Sequence, residues 1–319
     1  MSISRIIILK VRLIVIAFII AAGIFLISGM ARPNIGSQGL QADAEEATLL
    51  AEEPQQSRAE QVMRALVAAY PRRVLKAEFR NDDWAVLLRD TWFYYADGRL
   101  LPEELLYRVS EYRPVLLNYR RELPPWTTPT PEQAARFREL VETRDANQFR
   151  RSHYFFDALY RAHSHDESYT RVKTIRFLGN PVTVHYAIIE DLVLVEEHIL
   201  AAAKTDSRVR AWKYNIRNLA GWNWRNVAGT QSRSFHSYGA AIDIIPRALG
   251  GRAVYWRWAG PNWWSIPYER RYHPPAAVIK AFESYGFIWG GNWLFFDTIH
   301  FEYRPEVLIL NGVELATLR

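Results

Sequence analysis

Apolar and polar positions along this chain change period several times, and each change predicts an element. The first stretch has no polar period at all. Residues 13–29, LIVIAFIIAAGIFLISG, carry no charge, and residues 6–9 extend the run on the near side of Lys10. A spanning helix needs about 20 apolar residues, with a range of about 17–25, whereas a cleaved signal core has about 7–15. With its basic flank the run predicts a signal peptide or, by preference, an uncleaved membrane anchor within residues 1–30. Residues 31–56 are polar, rich in small residues and partly acidic, which reads as a linker. Residues 57–70 have apolar residues at helical spacing, with Ser57 placed to cap and Glu60 three positions on, and Pro71 stops the run.

The period then shortens. Residues 76–101 hold β-rich aromatic runs with Asp97-Gly98 as a tight turn. Pro102 opens a helix with acids in its first turn, residues 124–133 form a Pro-rich connector, and Pro131 starts another helix. Residues 171–178 and 181–188 read as strands joined at Gly179-Asn180, and residues 189–204 as an amphipathic helix. Residues 213–227 read as strand, turn and strand. AAIDII, residues 240–245, reads as a core strand bounded by Gly239 and Pro246. An aromatic insert at 255–267 precedes a helix at 274–287, and residues 299–303 suit a short strand. No internal repeat is visible. The expected organisation is a mostly helical or mixed region at 57–200 packed as one body with a domain at 201–319.

Composition narrows the function. Of 319 residues, 49% are hydrophobic, enough for a sizeable core. There is no cysteine, which excludes disulfides, Cys-ligated zinc and thiol nucleophiles. The formal net charge is +6, and half of it sits in Arg5, Lys10 and Arg12. That is too mild to argue for nucleic acid and suits weak attraction to an anionic polymer or surface.

The chemistry centres on residues 232–246. His236 leaves a loop, Gly239 turns the chain, and Asp243 stands within the apolar strand. A carboxylate there is costly unless something pairs with it, and a divalent cation would. The plainer alternative is Asp243 capping a turn beside an ordinary loop histidine. His300 is the third candidate ligand. Two histidines and one carboxylate leave a coordination position open, as in catalytic rather than structural zinc sites, and such zinc makes water reactive near neutral pH. Asp297, three residues before His300, is the candidate general base. In a strand, Glu302 shares the face of His300 and can accept the second ring N–H of a ligating histidine. His163, His165, Asp166 and Glu167 do not converge at their spacing and read as a solvated loop; His198 reads as a boundary residue of its helix. Trp256, Trp258, Trp263 and Trp264 either wall a cleft or form a packed lid.

The pattern Ser234-x-His236-x-x-Gly239-x-Ala241-x-Asp243, followed by Trp289-Gly290-Gly291-x-Trp293, Asp297-x-x-His300 and Phe301-Glu302, resembles the VanY-like D-alanyl-D-alanine carboxypeptidases. More closely, it is similar to the L-alanyl-D-glutamate endopeptidases of phage endolysins and sporulating bacteria. The resemblance covers about residues 205–305. It implies an α+β domain of the hedgehog/DD-peptidase type, with an antiparallel sheet carrying one Zn2+ and hydrolysis of peptidoglycan stem peptides. His236, Asp243 and His300 match the ligand positions and Asp297 the base position, with Ser234 and Glu302 in supporting places and Trp293 beside the site. Carboxypeptidases of the D-Ala-D-Ala type more often carry Glu at the base position, so Asp297 leans towards the endopeptidases. Such enzymes also use an arginine on the oxyanion or the substrate carboxylate; Arg225 and Arg217 are both candidates. The expected location is extracytoplasmic, with residues 6–29 holding the chain to the cytoplasmic membrane. Two other classes stay open, a zinc-containing module that binds the wall without cleaving it and a structural protein of the envelope.

Overall fold

Helix α1, Gln55–Ala69, forms where the apolar stripe predicts it. Val62, Met63 and Leu66 are fully buried on one face, and the chain turns out before Pro71. This is a computed structural model, and it describes residues 55–145 and 150–316. The expected anchor and nearly all of the linker lie outside the described residues, and among the described residues no helix is long and apolar enough to cross a membrane.

The α1 face packs on a four-stranded antiparallel meander, β1 (Val74–Arg80), β2 (Asp83–Leu88), β3 (Thr91–Tyr94) and β4 (Leu101–Pro102). The region at 57–200 is therefore mixed rather than mostly helical. Burial of alternate residues such as Val86, Leu88 and Phe93 against α1 rewards the shorter period. Residues Glu103–Glu111 correct a second expectation, since they wind as a 3-10 helix and not an α-helix. None of its residues is fully buried, and only Leu106 and Val109 rest on the small cluster of Ala96, Leu101 and Tyr112, so little packing holds it to the α-helical period. Helix α2 (Pro131–Asp145) starts at its proline as expected, and the short helices α3 (Tyr154–Tyr160) and α4 (His165–Tyr169) follow.

Strands β5 (Val172–Phe177) and β6 (Asn180–His185) form the expected hairpin, with the turn one residue earlier at Leu178-Gly179. Leu178 and Gly179 take φ of 51° and 85°, as a two-residue hairpin turn requires, and Leu178 is held there by its buried side chain and by its N–H, which donates to Glu196 at 2.6 Å. Helix α5 (Ile189–Thr205) leads to α6 (Ser207–Tyr214), which the pattern did not suggest. Residues 213–227 hold one strand, β7 (Ile216–Ala220), instead of two. Beyond it the backbone bonds outward: Trp222 N–H donates to Thr183 O at 2.6 Å and Asn223 N–H to His236 O at 3.0 Å.

The second sheet runs β7-β8-β10-β9, all antiparallel, with β8 at Ala241–Pro246, β9 at Phe287–Trp289 and β10 at His300–Tyr303. Helix α7 (Ala276–Ser284) precedes β9, and α8 (Pro305–Leu310) follows β10 and packs on α1. One face of this sheet sends Ile242, Ile244 and Phe301 into a core shared with Val182, Val184, Leu192, Val195 and Phe282. A boundary at residue 200 falls inside α5, whose residues belong to that core. The other face carries polar residues.

Candidate metal centre

Strand register assembles the polar face. His300 on β10 pairs directly with Asp243 on β8, so both side chains rise on the same side of the sheet. Glu302, two residues on, pairs with Ala241, whose small side chain leaves room for it. His236 arrives from a one-turn 3-10 helix, Phe235–Tyr238, capped by the Ser234 hydroxyl, which accepts from His236 N–H at 3.4 Å. Gly239 ends that turn with a φ of 66°. A Cβ there would stand 2.6 Å from His185 N, whose N–H donates to Gly239 O at 2.8 Å. Only glycine meets both the left-handed backbone and the close approach.

Three atoms converge. His236 Nε2 lies 3.2 Å from Asp243 Oδ1, His300 Nδ1 lies 2.9 Å from the same oxygen, and the two nitrogens are 3.2 Å apart. The far nitrogen of each ring is held as well. His236 Nδ1 donates to Gly221 O at 2.6 Å and His300 Nε2 lies 3.3 Å from Glu302 Oε2. With these bonds made, the neutral form of each ring would turn a lone pair to the common point, the supporting arrangement that metal-ligating histidines need. Among the described residues these three side chains form a group able to hold a metal ion. Two imidazoles and one carboxylate suit zinc. The His163 and His165 rings pair locally with Glu167 and Asp166 at the surface and join no such group.

Charge organises the rest. Burial would raise the Asp243 carboxyl, but the charge and hydrogen bonds of His236 and His300 hold it far below the usual carboxylate range. Burial would lower His300, yet its bonds to Asp243 and Glu302 push it up to about 10. Burial raises the Asp297 carboxyl to about 6, the charge of Asp243 adding and those of His300 and His236 opposing. Its Oδ1 is buried with no hydrogen-bond partner, a polar atom left for a ligand to satisfy.

Behind His300 a buried chain of charges runs through the molecule. Glu302 Oε1 accepts from Arg304 at 3.2 Å, Arg304 Nε donates to Glu306, and Glu306 Oε2 accepts from Tyr70 OH at 2.6 Å. The Arg304 guanidinium lies beside the rings of Phe156 and Phe235, 5.0 and 4.9 Å from their centres. Of these residues the motif pattern marks Glu302 alone. The signal for the others is present as charges at every second position, 302, 304 and 306.

The group opens into a cleft of about 1200 Å³, walled also by residues of the first half such as Asn118, Trp126 and Phe137. Trp256, Trp263 and Trp264 edge this cleft, but they are buried in an aromatic cluster that Phe137 of α2 completes, while Trp258 is 76% exposed. The Trp293 ring centre lies 5.4 Å from that of His300. Arg225 borders the cleft; Arg217 does not, standing exposed on β7 beside Asn218.

An antiparallel sheet presents two histidines and an aspartate to a cleft, with a further buried acid beside them, and three such side chains form a group able to hold one metal ion. Residues 228–303 match a family model described as D-alanyl-D-alanine carboxypeptidase. That span contains His236, Asp243, Asp297 and His300, and the match supports a peptidase of that family. Residues 62–117 match a model described as a domain of unknown function, DUF8518. No curated protein and no solved structure matches the chain.

Proposed function

We propose that this chain is a zinc-dependent peptidase that hydrolyses an amide bond in peptidoglycan stem peptides, of the D-Ala-D-Ala carboxypeptidase or L-Ala-D-Glu endopeptidase type. The observation that carries the reading is the meeting of His236 Nε2, Asp243 Oδ1 and His300 Nδ1 within the family match, beside Asp297, whose buried Oδ1 has no partner. His236, Asp243 and His300 would hold the ion. Bound zinc supplies Lewis-acid activation of water and of a carbonyl.

The protein's own groups do the remaining work. Gly221 O and Glu302 fix the two imidazoles, so the site needs little reorganisation. Asp297, pushed up to about 6, takes a proton from the attacking water and returns it to the leaving amine. Arg225, at the cleft edge, is the better placed of the two arginines for developing negative charge. Extracytoplasmic residence, with residues 6–29 as anchor, belongs to the same proposal and rests on the uncharged run behind a basic flank.

The test incubates the full chain with isolated sacculi and defined muropeptides and reads product masses, with zinc measured in each sample. The expected result is about one zinc per chain in wild type and Asp297→Ala, and little in His300→Ala. Turnover should fall at least on the order of 100-fold in both variants. A zinc-loaded wild type that binds muropeptides and cleaves none would instead identify a wall-binding module.

A further inference from the structure

We infer that Arg271 is the side chain that receives a carboxylate of the substrate in this cleft. The inference rests on the peptidase reading of the same site. Register places the residue. Arg271 bridges Ala253, Tyr255 two residues on bridges Asp297, and Thr298 N–H donates to Val254 O at 2.9 Å. Arg271 is thus one chain segment away from the candidate base. Its guanidinium carbon lies 4.2 Å from the ring centre of Phe296, the residue before Asp297, and 4.8 Å from that of Tyr268.

The side chain is only 5% exposed and lines the cleft with Asp297 and His300. Nε and Nη2 both donate to Ile266 O, at 3.3 and 3.2 Å. Those bonds orient the fork without neutralising it, and among the described residues no carboxylate forms a salt bridge with it. The contrast with Arg304 is direct, for that buried guanidinium is flanked by Glu302 and Glu306. Burial pulls Arg271 down to about 10, opposed by Tyr268, so it stays cationic at neutral pH. A buried cation without a countercharge is costly to keep, and an incoming carboxylate removes that cost. A planar fork stacked on aromatic rings and facing a cleft suits carboxylate recognition.

The carboxylate can be the peptide's C-terminus or a side-chain acid, and binding separates the two. Calorimetry on the zinc-loaded full chain carrying Asp297→Asn keeps peptides intact and reads recognition apart from turnover. The probes are an acetylated peptide ending in free D-Ala-D-Ala, its C-terminal amide, and an amide bearing a side-chain carboxylate. The expected result is that the free acid or the side-chain acid binds on the order of 100-fold tighter than the plain amide. Whichever probe shows the preference names the source. Arg271→Met, which keeps length and packing on Phe296, should erase that preference and leave zinc content and amide affinity unchanged. Arg271→Lys should restore part of it. Equal affinity for all three probes with Arg271 present, or a preference that survives Arg271→Met, overturns the inference. A preference that depends on Arg271 in a chain whose zinc-loaded wild type cleaves neither sacculi nor muropeptides upholds it and counts against the peptidase reading alone.

Discussion

His185 shows how a single residue answers to its surroundings. It ends β6 in the sheet hairpin, where its N–H meets Gly239, and its ring is buried between Tyr160 and Tyr186. Nε2 donates to Tyr160 O at 3.0 Å and Nδ1 accepts from Ala187 N–H at 3.1 Å, which is the neutral tautomer. Burial lowers its pKa from 6.5 to about 4, helped by the charges of Arg73 and Arg171 and opposed by the Tyr160 bond. A folded-state value below the unfolded one means that the unfolded chain takes up the proton first. The stabilisation is therefore complete above pH 6.5 and is lost as pH falls from there towards 4. Urea midpoints measured between pH 7 and pH 4 should fall along this window. His185→Gln should be less stable at pH 7 and lose this component of the slope.

At the scale of elements, the chain His300–Glu302–Arg304–Glu306–Tyr70 ties β10 and α8 to the residue that follows α1. All the members from His300 to Glu306 are at most 8% exposed, and removing one partner strands a charge in the interior. Glu306→Gln should cost about 3–5 kcal/mol in denaturant unfolding, because Arg304 then keeps only Glu302. Tyr70→Phe, which removes one hydrogen bond and no charge, should cost only about 1–3 kcal/mol. Equal costs for the two would mean that packing, and not the buried charge, dominates here. The same elements explain what the pattern could and could not disclose. Strand β8 and helices α1 and α5 were legible because one face of each is buried and the apolar period shows it. The 3-10 helix at Glu103–Glu111 is not legible as such, since proline at the start and acids in the first turn serve either helix type and nothing in the local pattern reports that Leu106 and Val109 are only partly covered. The lost strand after β7 was misread because Thr183 and His236, distant in sequence, take its backbone hydrogen bonds.

At the scale of the whole molecule, the two halves share their interior. The core beneath the metal face takes Val182, Val184, Leu192 and Val195 from before residue 200 and Ile242, Ile244 and Phe301 from after it. Residues 62–117, the span matched to DUF8518, include Tyr70 and also Leu116, whose carbonyl accepts from Arg304 at 2.5 Å. The first half therefore carries bonds that reach the back of the metal site, and it walls the cleft as well. A fragment of residues 201–319 expressed alone would expose the face of β8 that Val182 and Val184 cover. It should show neither the cooperative unfolding nor the dispersed amide spectrum of the full chain, and it should bind zinc more weakly, by calorimetry.

What the sequence determined by itself was the chemistry: which residue types stand at 236, 243, 297 and 300, that β8 is apolar around its one acid, and that no cysteine competes for a metal. Covalent identity and local period carry that information, and they need no fold to be read. Tertiary structure alone decided which arginine borders the cleft, which nitrogen of each histidine faces Asp243, and that Arg304, Glu306 and Tyr70 stand in line behind His300. The physical reason is that these are pairings between residues far apart along the chain. Strand register and burial fix them, and a local pattern of apolar and polar positions reports which face a residue is on but not what it will meet there.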